Sequence, residues 1–310
     1  MVRIRAVVTD LDNTLYPWVD YIVPSLEAMV ASLAATTGLP RIRIVQSLKA
    51  VYTKYESNEY PFAIQESDLF SPYERDPDSF LHLVVDPARR AFKEARERFL
   101  RPYPTVAATL DAVRARGLEL IALTDAPRNA AELRLKWLGL DRHFDALYTL
   151  PGYPLPAHVH PDIRRREAAG HYRGRAEVVE LPREAEKPSP IGLQRILADF
   201  ELDPAEVVYV GDNPVKDMIV AQECGVVGVW AEYGTYVSNE YRERLQVISA
   251  QSVTRRHVSD DVAEGRPRVE RWPLAISSFS QVLDVVDGMR WTKPTVPEKR
   301  RARPKRGSNG

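Results

Sequence analysis

The chain runs to 310 residues and carries 43 Lys plus Arg against 43 Asp plus Glu, so it has no formal net charge. That length allows about two domains, or one domain with a large insertion, and the balanced charge excludes a globally basic nucleic-acid coat and an acidic disordered chain. A single cysteine, Cys224, excludes a disulfide-stapled scaffold and a cysteine zinc cluster, and it fits a reducing, cytoplasmic setting.

The first residues carry charge early and lack the apolar region and small-residue cleavage site of a signal peptide. No uncharged run approaches the roughly 18 apolar residues of a membrane span, so no membrane partner is expected. Residues 4–8 form a short β-branched run that ends in Thr9-Asp10, the pattern of a buried parallel strand with chemistry at its C-terminal end. From 17 to 101 the sequence is rich in helix formers, with Pro61, Pro72, Pro77 and Pro87 as breakers, and reads as a mostly helical inserted domain. Within it Tyr52, Tyr55, Tyr60 and Phe62 are either the insertion's own core or a platform on which a flat base stacks.

Beyond residue 101, strand and helix patterns alternate. Val106, Leu110 and Val113 mark a helix face, and 118–123 is a strand running into Thr124-Asp125. Ala130, Leu133 and Trp137 mark the core-facing stripe of a second helix. Residues 151–186 carry five prolines and His158, His160 and His171 with little periodicity, which predicts a long irregular loop or small excursion and a solvated histidine cluster rather than a zinc site. Ile191, Ile196 and Leu197 mark a third helix, 207–210 is a strand entering Gly211-Asp212, and 226–230 is another. The alternation predicts an α/β fold with a Rossmann-like parallel sheet. A polar stretch follows residue 234, then one amphipathic helix containing Ile276, Phe279, Val282, Leu283 and Val286. Residues 293–310 hold seven Lys/Arg against Glu298 alone and read as a disordered basic tail. That tail is the one segment with the charge to touch a nucleic acid or an acidic partner.

Strand ends in an open parallel sheet converge on one crevice, so Asp10, Asp12, Thr124, Asp212 and Asp217 are expected to share a site, with Lys187 nearby ahead of a helix. Carboxylates gathered in one place repel unless a hard cation such as Mg²⁺ lies among them, and the lysine balances an anionic substrate. Singly each piece has a plainer reading: a D-x-D is usually a turn, a strand-ending threonine a helix cap, and a lysine before proline a solvated side chain. The ordered combination is what is specific.

In that combination the residues resemble the haloacid dehalogenase (HAD) superfamily. Its first motif D-x-D-x-T stands here as Asp10-Leu11-Asp12-Asn13-Thr14. Thr124 looks like its second motif, Lys187 its third, and the run from Gly211 to Asp217 its fourth; the insertion is similar to a C1-type helical cap. The resemblance implies a core made of 1–16 and 102–234 with an irregular insertion at 151–186, a cap at 17–101 and a C-terminal extension at 235–292 packing on the core. It further implies Asp10 as nucleophile, Asp12 as general acid and base, and Thr124, Asp125 and Lys187 as phosphoryl-binding groups. Mg²⁺ would be held by Asp10, the main-chain carbonyl of Asp12, and Asp212, with Asp217 in or beside that shell. The expected partner is a small phosphorylated metabolite, and the nearest members look like pyrimidine 5′-nucleotidases, which points to a nucleoside monophosphate. Two rivals share the fold: a dehalogenase, which has no use for Asp12, and a phosphonatase, which needs a cap lysine such as Lys49, Lys54 or Lys93. A third is a non-catalytic binding protein that uses the basic tail.

Overall fold

The first strand, β1 (Ala6–Thr9), is buried along its whole length because both of its faces are covered. Val7 joins a large cluster shared with the cap, whereas Ala6 and Val8 point into a second cluster on the opposite face. The protein is seen here as a computed structural model that describes residues 3–73, 76–153, 155–156, 160–168, 173–250 and 274–288. The basic tail, His158 and His171 therefore lie outside the described residues.

After β1 the chain leaves the core to build the cap from α1 (Trp18–Thr37), α2 (Arg41–Tyr55), a short α3 (Pro77–Phe80) and α4 (Asp86–Phe99). Gly38, at φ 71°, ends α1 in the left-handed region that a side chain would resist. By length and composition α1 would pass for a membrane span, although Asp20 and Glu27 keep it from being an uncharged run. Its apolar side chains Tyr21, Ile22, Leu26, Val30 and Leu33 are buried in the cluster that joins the cap to the core. That packing explains the composition, since a helix surrounded by protein is apolar nearly all round.

The chain returns through α5 (Val106–Ala115), β2 (Glu119–Pro127), α6 (Arg128–Leu138) and β3 (Ala146–Leu150). It continues with α7 (Pro161–Ala168), β4 (Glu177–Glu180), α8 (Ile191–Asp199), β5 (Val207–Gly211), α9 (Asp217–Cys224) and β6 (Val227–Ala231). A single turn, α10 (Glu232–Thr235), leads to α11 (Asn239–Ile248), and β7 (Leu274–Ile276) and α12 (Val282–Val286) complete the described chain. The seven strands form one parallel sheet in the order β4-β3-β2-β1-β5-β6-β7.

Four features differ from the sequence reading. The 151–186 stretch is not wholly irregular: it holds α7 and β4, and β4 pairs with β3 as a half-exposed edge strand whose four residues are too few to show a period. Ile276 lies in β7, paired with β6, rather than in the amphipathic helix, which shrinks to α12 and a preceding 3₁₀ turn. As far as it is described, at 235–250 and 274–288, the 235–292 extension divides between the two units. Its α11 lies on the cap, where Arg244 pairs with Glu27 at 2.6 Å and Lys49 donates to the Gln246 carbonyl at 2.7 Å, while β7 joins the core sheet. Finally, α6 turns Ala131, Glu132, Arg134 and Leu135 inward, and Trp137 from the expected core stripe is 42% exposed.

Candidate active site

β1 and β5 are neighbours at the point where strand order reverses, with β2, β3 and β4 added on one side and β6 and β7 on the other. The crevice beyond their C-terminal ends is where such a sheet takes its ligands. Asp10 and Asp12 follow β1, Thr124 and Asp125 lie in the irregular end of β2, Lys187 precedes α8, Asp212 follows β5 and Asp217 opens α9. All seven sequence-predicted site residues line one pocket of about 100 Å³.

Lys187 organises the acidic side. Its Nζ lies 2.6 Å from Asp10 Oδ1 and 2.6 Å from Asp217 Oδ1, with all three side chains buried. Asp217 is further engaged: the Tyr209 hydroxyl donates to Oδ1 at 2.7 Å and the Asn213 N–H to Oδ2 at 3.0 Å. Gly211 makes room for this, because a Cβ there would run into the Asp217 carboxylate. Asp10 Oδ2 and Asp212 Oδ1 are each 3.4 Å from the Thr14 hydroxyl, which also accepts the Asp212 N–H at 3.0 Å.

Oxygens of Asp10, Asp212 and Asp217 lie within 4.8 Å of one another. Burial pushes the Asp10 carboxyl up to about 7, with Lys187 pulling it down and Asp217 pushing it further up. Asp212 is held well above the usual carboxylate range by burial first and then by Asp10 and Asp217. Three buried carboxylates against one ammonium leave the cluster short of positive charge. The all-oxygen donor set suits a hard divalent cation such as Mg²⁺, and Asp10 and Asp212 are the members with coordinating capacity to spare.

Asp12 is turned the other way, towards the cap. Its Oδ2 lies 3.2 Å from Nη2 of Arg134, a guanidinium only 1% exposed, while its Oδ1 is buried with no hydrogen-bond partner. Arg134 Nη1 in turn donates to Glu59 Oε2 at 2.6 Å and to the Tyr21 hydroxyl at 3.2 Å. Glu59 also accepts from Tyr21 at 2.8 Å and from the Trp18 indole at 3.3 Å. Burial pushes Asp12 up to about 6, Arg134 opposing and Glu59 reinforcing that rise. The network joins a core helix, the β1 loop and the cap. The sequence reading missed Arg134 and Glu59, because one charge on an amphipathic helix and one in a cap loop carry no periodic or spacing signal.

Thr124 accepts the Ala126 N–H at 3.1 Å, which fixes the backbone turn facing the pocket. The Asp125 carboxylate takes the Lys187 N–H at 2.9 Å and Lys216 Nζ at 2.7 Å, so it ties the lysine loop to β2. Burial alone would raise Asp125, but Lys216 and Lys187 together hold it below the usual range. Lys216, another residue with no role in the sequence reading, sits one position before Asp217 and is legible only once the strand ends meet.

The cap aromatics do not offer the open platform considered from sequence. Tyr55 stacks face to face on Tyr60 at 3.6 Å between centroids, Lys54 lies over the Tyr55 ring, and Tyr153 meets both rings edge-on. Tyr52 and Phe62 are buried. Among the histidines, His160 pairs with Asp78 at 2.8 Å, away from the pocket. Cys224 is half-buried on α9, and burial pushes its thiol up to about 11.

A family model described as haloacid dehalogenase-like hydrolase matches residues 4–170, and a second, HAD-hydrolase-like, matches 184–264. The chain is 27% identical over 266 residues to a glyceraldehyde 3-phosphate phosphatase of Methanopyrus kandleri, covering 84% of this chain and 98% of that one. It is 26% identical over 243 residues to a phosphoglycolate phosphatase of Neisseria gonorrhoeae, covering 75% and 81%. Among solved structures, a 2-haloacid dehalogenase from Pseudomonas syringae pv. Tomato superposes with a TM-score of 0.52 at 20% identity, covering 92% of this chain and 98% of that one, a likeness of fold.

Proposed function

The chain belongs to the haloacid dehalogenase-like hydrolase family and is a phosphoric monoester hydrolase, and we propose that it cleaves a small phosphorylated metabolite with Mg²⁺ by way of an aspartyl-phosphate on Asp10. The observation that carries this is the buried arrangement of Lys187 between Asp10 and Asp217, with Asp212 beside them at the strand ends. Mg²⁺, held by Asp10, Asp212 and the Asp12 main-chain carbonyl, would neutralise charge on the transferring phosphoryl group.

Asp10 attacks phosphorus in line, Lys187 holding its other oxygen and offsetting charge. Thr124 and the N–H groups that follow it receive a phosphoryl oxygen. Asp12 protonates the leaving oxygen and afterwards takes a proton from the water that hydrolyses the phosphoenzyme, its carboxylate steadied by Arg134. Asp217 and Asp125 position Lys187 rather than touch substrate, since their oxygens are already engaged within the protein.

Two observations favour this over its rivals on the same fold. Asp12 and its arginine would be idle in a dehalogenase. Of the lysines a phosphonatase would need, Lys49 donates to the Gln246 carbonyl and Lys54 pairs with Glu66. Tyr55 and Tyr60 each turn one ring face on the other, so the pair does not clasp a base between them.

The test is hydrolysis of 4-nitrophenyl phosphate with Mg²⁺ and with EDTA. Turnover should require the metal and vanish in Asp10→Asn, whose amide is neither nucleophile nor good ligand. Acid quenching with radiolabelled acetyl phosphate should trap a hydroxylamine-sensitive phosphoenzyme that Asp12→Asn accumulates and Asp10→Asn lacks. Near wild-type turnover by Asp10→Asn would sink the mechanism.

A further inference from the structure

Between cap and core lies a second, larger cavity of about 680 Å³, a volume typical of small-molecule sites. It adjoins the catalytic pocket, for Asn58, Glu59, Pro127 and Tyr153 line both. Its core wall is the α6 stripe Ala130, Leu133 and Trp137, the same residues whose spacing suggests a core-facing helix, and its cap wall includes Tyr52, Phe62 and Phe92. The stripe is apolar because it faces this space instead of the sheet.

Five cations also line the cavity, Arg89, Arg90, Lys93, Arg96 and Lys136, and of these Arg96 is the buried one. Arg96, from α4, is only 7% exposed, its guanidinium carbon lies 3.1 Å from the centroid of the Trp137 ring, and its Nε is buried with no hydrogen-bond partner among the described residues. Among the described residues no carboxylate forms an ion pair with it. The two acidic side chains that line the cavity are engaged elsewhere: Glu59 with Arg134, Tyr21 and Trp18, and Asp86 with His82 at 3.2 Å. Burial draws Arg96 down to about 10, as expected of a cation short of counter-charge. A buried guanidinium is ordinarily paired.

We propose that this cavity binds an amphipathic carboxylate, its apolar or aromatic body lying along the α6 stripe and the cap aromatics and its carboxylate on the Arg96 guanidinium. A planar two-oxygen acceptor matches the fork of one arginine. Since the two cavities share a wall, the acid is either the far end of the substrate's leaving group or a separate molecule, and both have the same chemistry. The site does not depend on Asp10 being the nucleophile.

The experiment uses the full chain and 8-anilinonaphthalene-1-sulfonate, an aromatic anion that fluoresces in apolar cavities. One probe should bind per folded chain, and decanoate should displace it at least tenfold better than decanol, the scale of a charge-assisted hydrogen-bond pair. Arg96→Met should abolish the preference for decanoate while decanol still competes, and Arg96→Lys should restore part of it. The wild-type comparison of acid and alcohol stands even if a variant is unstable. Inhibition of 4-nitrophenyl phosphate hydrolysis by decanoate then separates the sources: competitive inhibition identifies the leaving-group end, and absent or non-competitive inhibition a separate acid. Absence of stoichiometric probe binding, equal displacement by decanol, or a preference that survives in Arg96→Met would overturn the proposal, and none of these bears on whether Asp10→Asn is inactive.

Discussion

Replacing Arg134 by Met removes the one cation that faces both Asp12 and Glu59. The guanidinium is 1% exposed and sits 3.2 Å from one carboxylate and 2.6 Å from the other, so its loss leaves two partly buried acidic groups without their closest counter-charge. Breaking a buried pair by removing one partner costs about 3–5 kcal/mol. For a chain of this size that corresponds to a melting temperature lower by about 6–15 °C. Glu59→Gln alone should cost less, about 1–3 kcal/mol, because Tyr21 and Trp18 still bond the amide. In the double variant the orphaned Glu59 charge is gone, so the two losses should fall short of their sum by about 0.5–3 kcal/mol. Urea unfolding followed by tryptophan fluorescence gives the four free energies of the cycle. Hydrolysis of 4-nitrophenyl phosphate at saturating Mg²⁺ should drop about 10- to 100-fold in Arg134→Met, the scale of a misplaced acid–base group. Additivity within 0.5 kcal/mol, or full activity in Arg134→Met, would refute the idea that the network holds Asp12 and joins it to the cap.

Gly211→Ala sets a methyl against the Asp217 carboxylate and should displace Lys187, lowering kcat at least tenfold; an unchanged rate with unchanged Tm would show that the loop yields freely. Asp125 is held below its usual range by Lys216 and Lys187 against burial, so its pairing stabilises the fold above about pH 4 and is lost as pH falls through the depressed value. The stability gap between wild type and Lys216→Met should therefore be full at pH 6 and shrink as pH falls below about 4, and parallel urea-midpoint curves would contradict this. Cys224, pushed up to about 11, should react with a disulfide reagent at pH 8 about two orders of magnitude more slowly in the folded chain than in urea, since the thiolate is the reacting species. Equal rates would count against its burial.

What the sequence determined by itself was whatever short-range chemistry encodes. β-branched runs that stop at Asp10, Thr124 and Asp212 specify strands, and in an open parallel sheet strand ends meet, so the acidic cluster and Lys187 were legible as one site from residues 200 positions apart. Asp125 was assigned to substrate from its place beside Thr124, whereas its partners, Lys187 and Lys216, are brought to it by two other loops. β4 and β7, with four and three residues, are too short to show a period and exist because a neighbouring strand offers an open edge. The α6 stripe has a helical period in either environment; only tertiary packing decides that Arg134 and Leu135 face inward while Trp137 faces a cavity. A periodic apolar face says that a helix will be covered, but burial free energy is non-directional, and what does the covering is fixed by the elements that fold against it.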